Sequence, residues 1–190
     1  MKTLAIAAAT AAVLACSTAR AGEVSFEAPV QVGTYRVAFT PDAGKLRERF
    51  ERGAFAAQAD PRLAFEGLIY VVPRPIKGDA TAAAVQLPSG AVAVLVDPRR
   101  FGKLDARGQD MVLAHELVHV RLLVMGLGDA DRCAQSAHEA IAYTVSAKME
   151  RDFDRAAATR AHITKLLDYV RGSCGDRDFA GFFAAFEVQP

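Results

Sequence analysis

This chain lacks the marks of several large protein classes. It has no basic excess, since 23 Lys and Arg face 22 Asp and Glu over 190 residues. There is no basic tail and no interleaving of aromatic with basic side chains, so no signature of a nucleic-acid binder is present. Beyond the first twenty-one residues no apolar run approaches the roughly 18 residues that a membrane helix needs. No internal repeat and no low-complexity linker follow that segment, which argues for one domain over residues 22–190. Cysteine is scarce, with only Cys16, Cys133 and Cys174 in the chain.

The N-terminus reads as a targeting segment, residues 1–21. Lys2 gives a short positive start, Leu4 to Ala15 an apolar stretch, and Ala19-Arg20-Ala21 a cleavage site of the A-x-A type. Removing it leaves 21 basic against 22 acidic residues. An alternative route is open, because Val13-Leu14-Ala15-Cys16 resembles a bacterial lipobox with Cys16 as the lipid-bearing residue. The expected location is therefore periplasmic or secreted, with a membrane-anchored lipoprotein as the alternative. Either route leaves Cys133 and Cys174 as an even pair in an exported chain, which predicts one disulfide. The pairing needs a turn near Asp152–Asp154. Two antiparallel helices of ~27 Å then bring the cysteines together, whereas one unbroken helix would hold them ~60 Å apart.

The chain has four histidines, and two of them stand in His115-Glu116-Leu117-Val118-His119. On a helix this H-E-x-x-H spacing puts both imidazoles on one face, one turn apart, as a shared metal requires. Glu116 lies between them, within reach of a water on that metal. Zinc lowers the pKa of a bound water to about 7, so a carboxylate beside it can take the proton. The flanking Met111, Val112, Leu113, Leu117, Val118, Val120, Leu122 and Leu123 predict a helix buried on most of its circumference. Inside such a helix, unpaired histidines and a glutamate are costly. Arg121 is expected at a solvent-facing edge.

A catalytic zinc usually takes three protein ligands. The H-E-x-x-H-x-x-G-x-x-H arrangement is absent, because Leu122 and Met125 occupy the Gly and third His positions. Residues 134–149 predict a second helix, separated from the first by Gly126-Leu127-Gly128-Asp129-Ala130-Asp131. That break lets Glu139 return over the two histidines. His138, Asp129 and Asp131 are rival third ligands, and His162, far along the chain, is expected at the surface.

H-E-x-x-H, nineteen intervening residues and a Glu on the next helix resemble the gluzincin group of zinc metallopeptidases, with its thermolysin-like ligand spacing. The resemblance covers roughly residues 108–145. It implies zinc ligands His115, His119 and Glu139, with Glu116 as general base. Tyr143 stands where several gluzincins have an Asp that orients a ligand histidine. One turn from Glu139, Tyr143 can donate a hydrogen bond into the site or serve as an oxyanion donor; the plain alternative is a half-buried core tyrosine.

Elsewhere, Val24 to Val32 reads as extended, Tyr35 to Phe39 and Leu68 to Val72 as strands, and Pro41-Asp42 as a helix start. Ala82–Leu87 and Ala91–Val96 flank Pro88-Ser89-Gly90 as a hairpin. A C-terminal helix is expected over about Arg155 to Arg171, then an apolar tail with Phe179, Phe182, Phe183 and Phe186. The expectation is an α+β, zincin-like domain with a small mixed sheet packed on the H-E-x-x-H helix and a helical C-terminal half. Ala91–Val96 is expected to border the cleft and pair with an extended substrate. The expected function is zinc-dependent hydrolysis of a peptide or protein substrate by an endopeptidase-like enzyme. The alternative is a non-catalytic, zinc-stabilised protein-interaction domain of the cell envelope.

Overall fold

A computed structural model describes residues 24–57, 60–128, 131–148, 153–175 and 178–188. The targeting segment, Cys16, Asp129 and the start of the expected turn at Asp152 lie outside the described residues. The fold is mixed α/β, with a five-stranded sheet and six α-helices among the described residues.

The strands are β1 (Val30–Val32), β2 (Tyr35–Phe39), β3 (Leu68–Pro73), β4 (Ala82–Gln86) and β5 (Val92–Val96), in the order β1-β2-β3-β5-β4. The inner pairs β2–β3 and β3–β5 are parallel, and the outer pairs β1–β2 and β5–β4 are antiparallel. Period-2 alternation sorts side chains between two faces. Val37, Phe39, Ile69, Val71, Val92, Val94 and Val96 enter the main core, whereas Tyr70, Val72, Ala93 and Leu95 join a small cluster around Ile76 and Ala80 on the other face. Asp97 ties that second cluster down. Its carboxylate accepts from the backbone N–H groups of Ile76, Arg99 and Arg100, and so also caps the short helix α2 (Pro98–Phe101).

The hairpin forms as expected, but its roles are reversed. β5 is held between β3 and β4, so Ala91–Val96 cannot pair with a further strand; β4 is the outer strand. The reason is visible in composition. β5 is buried at all positions, as suits an interior strand, and β4 carries small alanines and the exposed Gln86. Across the turn the Leu87 N–H donates to the Ala91 carbonyl, and the Asp97 N–H donates to Thr81. By alternation, Ala82, Ala84 and Gln86 direct their backbone groups outward.

Helix α1 (Gly44–Ala57) follows a 3-10 turn begun at Pro41 and buries Leu46, Phe50 and Ala54. Helix α3 (Ala106–Val124) packs between α1 and the β4–β5 edge of the sheet. The Asp105 carboxylate accepts from the Gly108 N–H at 2.7 Å and fixes its start. Its end is a Schellman turn. Gly126, at φ +90°, donates to the Leu123 carbonyl, and Leu127 donates to that of Leu122. Leu127 is thereby folded into the core with Leu122.

Helix α4 (Arg132–Ala147) is capped by Asp131, which accepts from the Cys133 and Ala134 N–H groups. Helix α5 (Phe153–Ser173) packs against it, and a Cys133–Cys174 disulfide closes the pair, with Cα atoms 5.6 Å apart. A last short helix, α6 (Ala180–Ala185), buries Phe179, Phe183 and Phe186 in the main core. These rings are core. No helix among the described residues is long and apolar enough to cross a membrane.

Candidate metal centre

Helix α3 carries His115, Glu116 and His119 into the interior, at 3%, 4% and 8% exposure. The four-residue spacing stacks both imidazoles on the side facing α4. Helix α4 brings Glu139 against them. One ligand atom each from His115, His119 and Glu139 lies within 4.8 Å of the others. The two histidine Nε2 atoms are 3.1 Å apart, and they stand 3.4 and 3.7 Å from Glu139 Oε2 and Oε1. The expected ligand set therefore converges on one point.

The donor set fits a divalent cation. Glu139 Oε2 is buried and has no hydrogen-bond partner, despite the imidazole at 3.4 Å. Such an orphan is costly in a folded core and is a natural cation ligand. Two nitrogens and one carboxylate also match the three-ligand pattern of zinc sites that keep a position open.

Electrostatics follow from crowding in a dry place. Burial pushes the His119 imidazole down to about 3, only partly opposed by Glu139 and reinforced by His115 and His138, so His119 is neutral. Burial alone would also lower His115, but Glu139 and Glu116 outweigh it and leave its pKa raised. Burial would raise Glu139, yet His119, His115 and His138 hold it down at about 2. Burial pushes Glu116 up to about 7; Glu139 adds to this, while His115 and the Ala84 backbone N–H oppose it. The Ala84 interaction places the Glu116 carboxylate beside the outer strand β4.

Two of the rival third ligands, Asp131 and His138, resolve by geometry, while Asp129 lies outside the described residues. Asp131 is committed to the N-terminus of α4. His138 turns away from Glu139 and meets the far nitrogen of His119, Nδ1 to Nδ1 at 2.9 Å, while its Nε2 reaches the Leu127 carbonyl. His162 is exposed, as expected, but its ring lies edge-on to Tyr143 at 4.8 Å. Tyr143 in turn packs edge-on against His115 at 4.7 Å, and burial, Glu139 and Glu116 all raise its pKa, so the phenol keeps its proton. Arg121 is half-buried and donates from Nε to the Arg62 carbonyl instead of lying at a solvent edge.

Two supporting residues carry no signature of that role in the sequence. His138 reads from sequence only as a candidate ligand. Ser146, 3.4 Å from His115 Nδ1, belongs to no motif. Ser146 Oγ donates its own proton to the Ala142 carbonyl at 2.7 Å and so offers His115 an acceptor. Its position two turns beyond Glu139 on the same helix face was the available signal.

Comparison with known protein families, with curated proteins and with solved structures returned no match to this chain.

Proposed function

We propose that this protein is a zinc-dependent peptide hydrolase of zincin-like architecture, with His115, His119 and Glu139 as metal ligands and Glu116 as general base. The observation that carries this reading is the convergence of three ligand atoms at a buried point that includes an orphaned carboxylate oxygen, with a second acidic group, Glu116, beside it. A bound zinc ion supplies a Lewis acid that polarises the scissile carbonyl and acidifies a water.

The chain's own residues do the rest. Glu116 is held in a dry place beside His115 and Glu139, where its carboxylate can take a proton from the attacking water and pass it to the leaving amine. A nearby cation would oppose the burial that raises Glu116 and favour its ionised form. Tyr143, kept protonated beside His115, is a candidate donor to the developing oxyanion. The outer strand β4 runs past Glu116, which takes up the Ala84 N–H, and the outward groups of Ala82 and Gln86 with the Ala84 carbonyl form an edge to which an extended peptide can add. The disulfide suits an oxidising compartment, in keeping with an exported protein.

A zinc-stabilised interaction domain is the competing account. It leaves the burial of Glu116 at 4% exposure, next to the ligands, without a use. The test is a comparison of wild type with Glu116→Gln and His115→Ala on a broad panel of peptides and unfolded proteins. Glu116→Gln is expected to keep the fold and zinc and lose about 10²–10⁴ in rate; His115→Ala loses zinc and activity together. Equal zinc binding by wild type and Glu116→Gln, with cleavage by neither, would favour the interaction domain.

A further inference from the structure

The contacts of His138 define a direction for protons. Its Nε2 faces the Leu127 carbonyl, a group that can only accept. His138 Nε2 therefore carries a hydrogen, and in the neutral ring Nδ1 is left as an acceptor. That Nδ1 meets His119 Nδ1 at 2.9 Å. The two ring planes lie within 10° of parallel, with centroids 5.2 Å apart. A centroid separation so much longer than the nitrogen–nitrogen distance means that the rings meet edge to edge, as an in-plane N–H···N bond requires. The hydrogen between them must then sit on His119 Nδ1.

Resting on the metal-centre reading above, we propose that His138 is a positioning residue that fixes the tautomer of His119. It relays the Leu127 carbonyl into a lone pair on His119 Nε2, the atom that faces His115 and Glu139. The reverse order would set a His138 lone pair against the carbonyl oxygen and put the hydrogen on His119 Nε2, where it would block the metal. A doubly protonated His138 would have the same blocking effect.

The relay begins in the turn between the two ligand-bearing helices. Gly126 takes a positive φ that allows Leu127 to fold into the core and aim its carbonyl at α4. The loop therefore holds His119 by a hydrogen-bonded path as well as by the chain. Partners of this kind orient ligand histidines, and losing one typically costs about 10–100-fold in metal affinity.

The test is a multiple-bond ¹H–¹⁵N correlation spectrum of the full chain with ¹⁵N-labelled histidine, without and with zinc, beside zinc titrations of His138→Asn and His138→Leu. The expected spectrum shows His138 as the Nε2–H form and His119 as the Nδ1–H form, with His119 Nε2 shifting when zinc is added. Either ring in the opposite tautomer overturns the proposal, and the wild-type spectrum needs no variant to fold. Asparagine can place Oδ1 where His138 Nδ1 stands, so His138→Asn is expected to bind zinc within a few-fold of wild type. His138→Leu has no acceptor and should bind about 10–100-fold more weakly. Equal weakening by both variants would mark a merely structural role and overturn the relay. Wild-type binding matched by His138→Leu would overturn the relay and leave the metal centre standing. No zinc binding by wild type would overturn both.

Discussion

Opposite charges favour each other at this site: Glu139, with Glu116, raises His115 against burial, and His119, His115 and His138 lower Glu139 to about 2 against burial. A cation must displace the His115 proton before it can use that nitrogen. The sign follows directly. Below the raised pKa of His115 the proton competes, and zinc binding weakens as pH falls. Above that pKa the competition ends and affinity levels off. Calorimetric titration in buffers of different ionisation enthalpy should report up to about two protons released per zinc at the lower pH values, one from His115 and one from Glu116, whose carboxyl burial raises to about 7. Affinity that is flat across this window would refute the assignment of that nitrogen as ligand. The H-E-x-x-H pair was legible in the sequence because its geometry is local: two residues four apart on any helix share a face. Ser146 and His138 were not, since their partners are set by how α4 lies on α3 and by where the Leu127 carbonyl points.

Among the elements, β4 and the loop held by Asp97 carry the sharpest expectations. The Gln86 N–H lies on the outer side of β4, so Gln86→Pro should leave the β4–β5 ladder intact. If an extended substrate pairs there, one lost hydrogen bond of about 1 kcal/mol should raise KM about fivefold for long peptides. The same KM in both proteins would mean that the substrate does not use this edge. Asp97 is buried and serves three backbone donors; burial raises its pKa, but the N–H groups of Arg100, Ile76 and Arg99 and the Arg100 charge outweigh it and leave it lowered. A lowered carboxylate stabilises the fold above its unfolded-state pKa and loses that contribution as pH falls through the folded value. Asp97→Ala should therefore cost about 2 kcal/mol in urea unfolding at neutral pH, and less in acid. Equal loss at both pH values would contradict this account. Element types read well from the sequence, including the hairpin and the helix break at Gly126, because turn residues and periodicity are local signals. The order of strands did not. β3 enters between β2 and β5, and only that non-local pairing decides that β4, and not β5, is the outer strand.

For the whole molecule, the disulfide fastens the helical half that carries Glu139. Cys133 and Cys174 are 41 residues apart, and a loop of that length predicts about 4 kcal/mol of stabilisation from chain entropy. Cys133→Ser with Cys174→Ser should lower stability by up to that amount and weaken zinc binding where unfolding competes; unchanged denaturant midpoints would show that the core alone fixes α4 on α5. The pairing was legible because an even number of cysteines in a chain read as exported leaves one choice once Cys16 is set apart. The α4–α5 pair and the disulfide fit that reading. Both halves of the fold meet at one point, where α3 brings two imidazoles and α4 a carboxylate. Zinc-edge X-ray absorption of the zinc-loaded protein tests that meeting most directly. The expected result is one zinc per chain, with nitrogen and oxygen neighbours at about 2.0–2.2 Å, the scattering of two imidazoles and no sulfur. His119→Ala, like His115→Ala, should lose the zinc. No zinc bound by wild type, a sulfur shell, or a zinc with two imidazoles persisting in His119→Ala would contradict the account.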